Sequence, residues 1–266
     1  MEVTSGRQTV TMKAMPTDTT EQEFRERYAR QIILPGFGLD AQCRLAQTSV
    51  LIVGVGGLGA IAASYLAAAG IGKLGLVDQD TVALANLHRQ LLYTTHDAVA
   101  HRAKTEAAQA RLRQINPHCQ VEIYAEQFTD VNAIRLVARY DLVIDGTDSH
   151  KAKYAINRAC LQAGKPLVYG GVFRFEGQVS VFNTGCGPCL ECVYPDTAVA
   201  PTSCSSEGVL GTVPGIIGIM QAQETIKWAT GIGELLSGKV LLYNGLNGSC
   251  RTFAARRNAC CPACGR

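Results

Sequence analysis

The most constraining feature of this chain is an uncharged run at residues 50–72, in which a short apolar segment leads into a glycine-rich turn. The apolar segment is rich in β-branched residues, which is typical of a buried strand. Four glycines follow it, at Gly54, Gly56, Gly57 and Gly59. An alanine-rich stretch with the composition of a helix comes next. Because so many glycines argue against a membrane span, the run predicts a strand, a tight turn and a helix.

The composition of the chain argues against several functional classes. A net charge of +3 over 266 residues is too small to indicate binding to nucleic acid or to an anionic membrane. Residues 1–20 are polar and lack the apolar core of a signal peptide, so we expect a flexible extension and a cytoplasmic protein. Eleven cysteines in a chain of this length favour metal binding or thiol chemistry over a disulfide framework.

Apolar runs alternate with helical patterns along most of the chain. Strands are predicted at residues 49–53, 73–77, 121–125, 141–145 and 167–170, and helices at 59–69, 101–115, 130–138 and 150–163. This alternation indicates an α/β fold with a Rossmann-like, doubly wound and mostly parallel sheet. Beyond Gly177 the pattern predicts an antiparallel extension of that sheet, with strands at 178–182, 240–244 and 249–255 and a helix at 214–229. We expect one domain over residues 21–266, with its nucleotide-binding part at 45–170.

The spacing of the glycines predicts a nucleotide site. Gly54, Gly56 and Gly59 form a G-x-G-x-x-G pattern between a strand and a helix, whose N-terminus favours a phosphate anion. Asp78 ends the next predicted strand, nineteen residues after Gly59, and this position commonly binds a ribose hydroxyl. The alternative is a glycine turn that serves only packing.

The residues beyond the second strand bear on the choice of nucleotide, because NAD and ATP both fit the glycine pattern. A polar set follows at Asp80, Asn86, Arg89, Gln90 and Lys104. Reaction at a phosphate needs cations to offset charge repulsion; Arg89 and Lys104 could supply them, with Asn86 and Gln90 as orienting groups. Each of these side chains could instead be a solvated surface residue. Their common position at the carboxyl edge of the predicted sheet favours an ATP site.

Acidic residues near the end of the fourth predicted strand indicate a metal site. Asp148 could bind Mg²⁺ through its carboxylate oxygens. The alternative role for Asp148 is a cap of the helix that begins near Ser149. Asp145 adjoins the apolar strand, and we expect it to be structural.

Taken together, these residues resemble the ThiF/MoeB/HesA family, relatives of the ubiquitin-activating enzymes. The motifs that carry the resemblance are Arg27-Tyr28-Ala29-Arg30-Gln31-Ile32-Ile33-Leu34, Gly54 to Gly59, Asp78-x-Asp80, Asn86-x-x-Arg89-Gln90, Lys104 and Thr147-Asp148. It implies an enzyme that uses ATP to adenylate the C-terminal Gly-Gly carboxylate of a small ubiquitin-like sulfur-carrier protein. The thiocarboxylate made from this adenylate would serve thiamine or molybdopterin biosynthesis, and the carrier would bind at residues 171–266.

The resemblance also implies roles for individual residues. Gly57 and Asp78 would contact ATP, with Asp78 on the ribose. Arg89 and Lys104 would bind the phosphates. Asp148 would hold Mg²⁺.

Other positions either add to the family pattern or depart from it. Arg30 resembles an arginine that crosses a homodimer interface into the active site of the partner. The chain has Gly146 and Ser149 where the family usually has Cys and Asn. It has His88 where Gln is frequent, and we expect this histidine to be a neutral bystander.

Two CxxC pairs predict a metal centre. They are Cys189 with Cys192, and Cys261 with Cys264. Four thiolates of this kind form a closed tetrahedral set that suits structural Zn²⁺, and ordinary buried thiols are the alternative. Cys186 and Cys260 are alternative ligands, since one forms another CxxC with Cys189 and the other adjoins Cys261. The resemblance favours the first set, because the family's pair directly precedes an aromatic-Pro-Asp sequence, here residues 194–196.

Cys204 lies in a polar loop and has no CxxC partner. In ThiF-type members of the family a cysteine at this position takes part in sulfur transfer, and an ordinary loop cysteine is the alternative. Together with residues 194–196 and 261–265, it resembles ThiF slightly more than MoeB. We recognise no rhodanese domain, so we expect a separate sulfur donor, a cysteine desulfurase or a rhodanese.

Two other functions are compatible with the sequence. One is an NAD-dependent oxidoreductase, because the glycine pattern also occurs in dinucleotide sites. The other is a non-catalytic scaffold, in which zinc stabilises a nucleotide-binding protein that docks partners.

Overall fold

The computed structural model describes residues 20–185, 187–195 and 208–265, which form an eight-stranded mixed sheet with helices on both faces. The strands are β1 (Ser49–Val53), β2 (Lys73–Val77), β3 (Gln120–Tyr124), β4 (Leu142–Asp145), β5 (Leu167–Phe173), β6 (Glu176–Phe182), β7 (Lys239–Asn244) and β8 (Ser249–Ala254). The helices are α1 (Glu21–Arg27), α2 (Ala29–Ile32), α3 (Gly38–Gln47), α4 (Gly59–Ala69), α5 (Thr95–Val99), α6 (Lys104–Ile115), α7 (Ala133–Val137), α8 (His150–Ala163), α9 (Leu190–Val193) and α10 (Thr212–Thr230). The strand order is β3-β2-β1-β4-β5-β6-β7-β8. The predicted α/β fold class is confirmed.

The parallel part of the sheet runs from β3 to β5 and is centred on β1. This strand pairs in parallel with β2 on one side and with β4 on the other. The strand order therefore reverses between β1 and β4, and doubly wound sheets bind ligands at such a point. Side chains of β1 enter a core on each face: Ile52 packs with Leu66 of α4, and Leu51 packs with Tyr140. Burial on both faces explains why the strand is wholly apolar after its first residue.

The antiparallel part consists of β5 to β8. A tight hairpin joins β5 to β6, and the later strands add in sequence at the edge of the sheet. Helix α10 covers one face of this part through Val213 and Ile217, which pack against Val179 of β6. The outermost strand, β8, is exposed after its first residue. The sheet is therefore open to solvent at this outer edge, whereas most residues of β5 and β6 are buried.

Strands β4 and β5 separate at their carboxyl ends, which opens the sheet locally. Their pairing joins Val143 to Leu167 and Ile144 to Val168, and it does not continue to Asp145. Instead, the side-chain amide of Gln221 in α10 donates to the carbonyls of Asp145 and Val168, at 2.7 and 3.3 Å. A fully buried helix residue thus supplies hydrogen bonds that the diverging strands lack.

Predicted and observed elements agree best in the parallel part. The uncharged run at residues 50–72 forms β1, the turn and α4, and the bounds predicted for α8 match. Helix α6 begins only at Lys104, because Ala103 is extended and bridges Thr81. Helices α3, α5 and α9 have no predicted counterpart. Within the described ranges, no helix is both long and apolar enough to cross a bilayer.

Candidate active site

The glycine turn after β1 brings three backbone segments together at the carboxyl edge of the parallel strands. Gly54 has a φ of +84°, a conformation that favours glycine. A Cβ added at Gly59 would lie 1.9 Å from the carbonyl oxygen of Gly54, and one added at Gly146 would lie 2.5 Å from the same oxygen. The turn, the start of α4 and the end of β4 therefore meet backbone to backbone. Glycine at residue 146, where the family usually has Cys, permits this close approach in this chain.

Asp78 links the glycine turn to the end of β2. Its carboxylate accepts hydrogen bonds from the backbone amides of Val55 at 2.8 Å and Asp80 at 2.9 Å. The buried ammonium of Lys104 lies 3.8 Å from this carboxylate and 2.7 Å from that of Asp80. Burial raises the pKa of Asp78, although Lys104 and the two amides oppose the rise. Since each carboxylate oxygen can accept more than one hydrogen bond, the predicted ribose contact of Asp78 is compatible with this geometry.

Arg89 is held by residues of the turn that precedes it. Its Nη2 donates to Oδ1 of Asn86 at 3.0 Å, and its Nη1 lies 3.3 Å from Nε2 of His88. Nδ1 of His88 lies 3.0 Å from the carbonyl of Ala85, which suits a ring with its proton on Nδ1 and an acceptor at Nε2. The ring of His88 therefore contacts Arg89, and His88 is not among the described residues that line the cavity.

Two aspartates at the end of β4 have opposite environments. Asp145 is fully buried, with Oδ1 accepting from the amide and hydroxyl of Thr147 and Oδ2 accepting from Nζ of Lys153. Asp148 is exposed, and its carboxylate has no hydrogen bond or ion pair within the described residues. Ser149, rather than Asp148, caps α8. The structural role expected for Asp145 is confirmed and the capping alternative for Asp148 is wrong, which leaves Asp148 free to bind a ligand.

A cavity of 930 Å³ lies over this edge of the sheet. Most predicted site residues line it: Gly54, Gly56, Gly57, Asp78, Asp80, Arg89, Gln90, Lys104 and Asp148. The side-chain oxygen of Gln90 is buried without a hydrogen-bond partner in the described parts of the chain, as befits a polar ligand site. Gly59 and Asn86 are not among the described residues that line the cavity, although Asn86 contacts Arg89, which does. Arg30 is exposed on α2, away from the lining, and Cys204 lies outside the described residues.

The cavity continues onto the antiparallel strands, where the sequence predicted a carrier-binding region but no individual lining residue. Its wall there includes Tyr169, Gln178 and Tyr194. Tyr194 donates its hydroxyl to Gln178, and Gln178 donates its amide to the hydroxyl of Tyr169 at 3.2 Å. The two tyrosine rings lie 5.7 Å apart. The one available signal was the position of Tyr194 two residues after a CxxC pair, because Tyr169 and Gln178 stand in ordinary strand sequences.

Four cysteines form a cluster beside α9. The sulfurs of Cys189, Cys192, Cys261 and Cys264 lie within 4.8 Å of one another, and the shorter separations are 3.3, 3.6 and 3.8 Å. A tetrahedral Zn²⁺ with bonds of about 2.3 Å requires sulfurs about 3.8 Å apart, so this set could hold a metal ion. The structure brings together the four cysteines that the sequence favoured. Cys260 is exposed and outside the cluster, and Cys186 lies outside the described residues.

The electrostatics of the cluster differ between its members. Burial raises the pKa of Cys189. Burial also acts on Cys192, but hydrogen bonds from backbone groups of Asn258 and Cys189 outweigh it and lower the pKa of this thiol. The backbone around Cys192 therefore favours its thiolate, whereas burial raises the pKa of Cys264 as it does that of Cys189.

Helix α9 is joined to α8 by buried polar contacts. The carboxylate of Glu191 accepts from Nδ2 of Asn157 and Nε of Arg158, both at 3.2 Å. The amide of Leu190 donates to Oδ1 of Asn157 at 3.1 Å, and the hydroxyl of Tyr154 donates to the carbonyl of Tyr194. The cysteine cluster thus sits against the same helix that begins beside Asp148.

The reversed strand order, the glycine turn and the cavity above them define a doubly wound α/β protein that binds a ligand at the carboxyl edge of its parallel strands. Residues 28–263 match the ThiF family, and the chain belongs to this family. The family identified from the sequence motifs is therefore confirmed.

Two curated relatives show how much of a known protein the chain represents. It is 46% identical over 253 residues to "Adenylyltransferase and sulfurtransferase MOCS3" of Sus scrofa, a match that covers 94% of this chain and 55% of that protein. It is 43% identical over 253 residues to "Sulfur carrier protein adenylyltransferase" of Thermus thermophilus, with 92% of each chain covered. The chain thus spans little more than half of the first relative and nearly all of the second.

Among solved structures, a crystal structure of E. coli MccB with MccA-N7isoASN has the same fold. The TM-score is 0.81 at 22% sequence identity, and the match covers 94% of this chain and 76% of that one. This likeness concerns the fold alone.

Proposed function

We propose that this protein is an ATP-dependent adenylyltransferase that acts on a ubiquitin-like sulfur-carrier protein ending in Gly-Gly. The observation that carries the proposal is one cavity with two ends. One end gathers the glycine turn with Arg89, Lys104 and Asp148, and the other runs onto the antiparallel strands. An adenylating enzyme needs both, because ATP and an acyl-bearing substrate must meet at the α-phosphate. The name of the Thermus relative supports the same activity.

The nucleotide end has the groups that adenylation requires. The N-terminus of α4 favours the phosphates, Asp78 is proposed to bind the ribose, and Arg89 and Lys104 are proposed to supply positive charge. The carboxylate of the carrier attacks the α-phosphate of ATP, a P–O bond forms, and pyrophosphate leaves with the electrons of the broken bond. Two anions react in this step, and fixed cations lower the resulting repulsion.

Asp148 is proposed to hold Mg²⁺ at the phosphates. Its exposed carboxylate lines the cavity and is free of the ion pairs that occupy Asp145. Carboxylate oxygens are ligands that Mg²⁺ prefers, and the ion would neutralise charge on the departing pyrophosphate. The residues present therefore fit this cofactor.

The acceptor end is proposed to bind the C-terminal tail of the carrier, as part of the carrier-binding region at residues 171–266. Gly171 lies in the floor, where a Cβ would come within 2.7 Å of the hydroxyl of Tyr169. A Gly-Gly tail has no side chains and therefore suits this closely packed floor. Gln178 and Tyr194 offer polar groups to the backbone of the tail.

The four cysteines are proposed to bind Zn²⁺ in a structural role. The cluster lies against α8 and α9, and no sulfur of the four is among the described residues that line the cavity. A closed set of four thiolates leaves no open position for chemistry. The ion would tie the segment around α9 to residues 261–264 and so stabilise the wall that carries Tyr194.

Further features of the proposal rest on the family resemblance. The enzyme is proposed to act as a cytoplasmic homodimer in which Arg30 reaches the active site of the partner. Cys204 is proposed as a thiol in sulfur transfer, with sulfur from a cysteine desulfurase or a rhodanese. Which carrier is used decides between thiamine and molybdopterin biosynthesis, and a pull-down that identifies the Gly-Gly protein would answer this.

The test is ATP–pyrophosphate exchange with purified protein and candidate carriers. We expect exchange with a carrier that ends in Gly-Gly and none when its last glycine is deleted. Exchange that does not depend on a carrier, or none with any ThiS-like or MoaD-like carrier, would overturn the proposal. Bound nicotinamide nucleotide or substrate-dependent reduction of NAD would favour the oxidoreductase instead.

A further inference from the structure

We propose that Lys153 is a positioning residue that fixes the turn at residues 146–148 and, through it, the carboxylate of Asp148. The inference rests on the proposed function, because it gives Asp148 the Mg²⁺ role described above. Lys153 lies on α8, one turn after the Ser149 cap. It belongs to none of the motifs in the sequence, and it lines the cavity.

The ammonium of Lys153 is committed to the protein rather than to solvent. Its Nζ donates to Oδ2 of Asp145 at 2.9 Å and to the carbonyl of Gly170 at 2.8 Å, and it lies 5.0 Å from the ring centre of Tyr169. The side chain of Lys153 is 15% exposed, and that of Asp145 is 0% exposed. Lys153 thus neutralises a charge that has no access to water, at the place where β4 and β5 separate.

The partner of Lys153 organises the turn that carries Asp148. Oδ1 of Asp145 accepts from the backbone amide of Thr147 at 2.9 Å and from its hydroxyl at 2.7 Å. The carboxylate of Asp145 therefore holds the turn through Oδ1 and binds Lys153 through Oδ2. The exposed Asp148 has no such anchor in the described structure, so its position depends on Asp145.

Loss of the cation has a defined consequence. A buried carboxylate without its partner is strongly unfavourable, so Asp145 must move toward water or give up its ionised form. Movement breaks both bonds to Thr147 and displaces Asp148. Removal of a group that orients a metal ligand typically changes the metal affinity by about 10- to 100-fold.

The test uses three variants of the full chain: Lys153→Met, Lys153→Arg, and a double variant that carries both Asp145→Asn and Lys153→Met. Lys165→Met is the matched lysine control. The first readout is hydrogen exchange of the peptide that contains residues 146–149. The second is affinity for ATP, measured by calorimetry with and without Mg²⁺ and without a carrier.

We expect Lys153→Met to accelerate exchange in the turn and to reduce the Mg²⁺-dependent gain in ATP affinity by about 10-fold. Affinity without Mg²⁺ should change less than threefold. Lys153→Arg and Lys165→Met should behave like the wild type. The double variant should recover most of the protection, because the neutral carboxamide that Asp145→Asn introduces still accepts from Thr147 and no longer needs a cation.

Two results would overturn the inference. Unchanged exchange in the turn of Lys153→Met would show that Lys153 does not fix it. An equal loss of ATP affinity with and without Mg²⁺, retained in the double variant, would show that Lys153 contacts the nucleotide itself. Both readouts need no carrier, so a failure of carrier-dependent exchange in the wild type would count against the proposed function alone.

Discussion

The parallel and antiparallel parts of the sheet form the two ends of one cavity by different means. In the parallel part, the backbone segments at Gly54, Gly59 and Gly146 are in close contact. This contact determines the shape of the nucleotide end. In the antiparallel part, side chains determine the wall, and Cys189 is 72 residues from Cys261. The nucleotide end therefore depends on steric fit between backbone segments, whereas the acceptor end depends on links between side chains.

The largest effect should come from breaking the cysteine cluster. Cys261→Ser removes one of four ligands, and loss of the metal ion should lower the free energy of unfolding by about 4 kcal/mol if the free ion stands at about 1,000 times its Kd. Metal content and urea denaturation measure this, and the adjacent, exposed Cys260→Ser is the matched control. Carrier affinity should fall with stability, while ATP affinity stays within threefold. Equal losses of both affinities would contradict the contrast between the two ends.

Next in size is the loss of a cation from the nucleotide end. Arg89→Ala should lower the rate of carrier-dependent ATP–pyrophosphate exchange by about 100-fold, equivalent to about 2.7 kcal/mol, because a fixed charge at the reacting phosphate is lost. Thermal unfolding should be unchanged. Arg113→Ala, at an exposed position of α6, controls for the loss of an arginine. A normal exchange rate in Arg89→Ala would remove this residue from the proposed mechanism.

A pair of glycine substitutions should sharpen the steric half of the comparison. In Gly59→Ala, the new methyl group meets the carbonyl of Gly54, and relief of that clash should cost about 1 to 3 kcal/mol of stability and weaken ATP binding. Gly215→Ala in α10 meets no atom within 4 Å, and it should stabilise the protein by about 0.5 to 1 kcal/mol. Urea denaturation and ATP calorimetry measure both. A destabilisation of the same size at residue 215 would show that the effect is not local to the turn.

The smallest effect should arise at the edge of the parallel part. The carboxylate of Glu122 accepts hydrogen bonds from Lys73, Tyr124 and Tyr140. These bonds, that from Lys73 above all, lower the pKa of Glu122 from 4.5 to about 2. The ionised form is therefore favoured in the folded state, and its contribution is complete above pH 4.5 and disappears as the pH falls toward 2. Glu122→Gln should cost about 1 kcal/mol or less at pH 7, since the pair is partly exposed. The difference in free energy of unfolding between Glu122→Gln and the wild type, measured by urea denaturation, should be smaller at pH 3 than at pH 7. A difference that grows at low pH would refute this.

The same contrast explains what could be predicted from the sequence. Strand β1, the glycine turn and α4 follow from local patterns, because the residues that shape them are neighbours in the chain. Two CxxC pairs predicted the cysteine cluster, but the pattern left Cys186 and Cys260 as alternative ligands, and the register followed from the family resemblance. Lys153 and Gln178 could not be predicted, because their roles depend on how α8 and β6 pack against the ends of other strands. The start of α6 was misplaced for the same reason: the bridge from Ala103 to Thr81 joins distant positions.

Gln221 places a limit on redesign of this protein. It stands in the buried middle of a largely apolar helix, where a designer who seeks a more hydrophobic core would replace it with leucine. That replacement would remove the 2.7 Å hydrogen bond to the carbonyl of Asp145, and an unsatisfied buried carbonyl costs about 1 to 3 kcal/mol. At this position the chemistry of the backbone, rather than the hydrophobicity of the helix, dictates the residue.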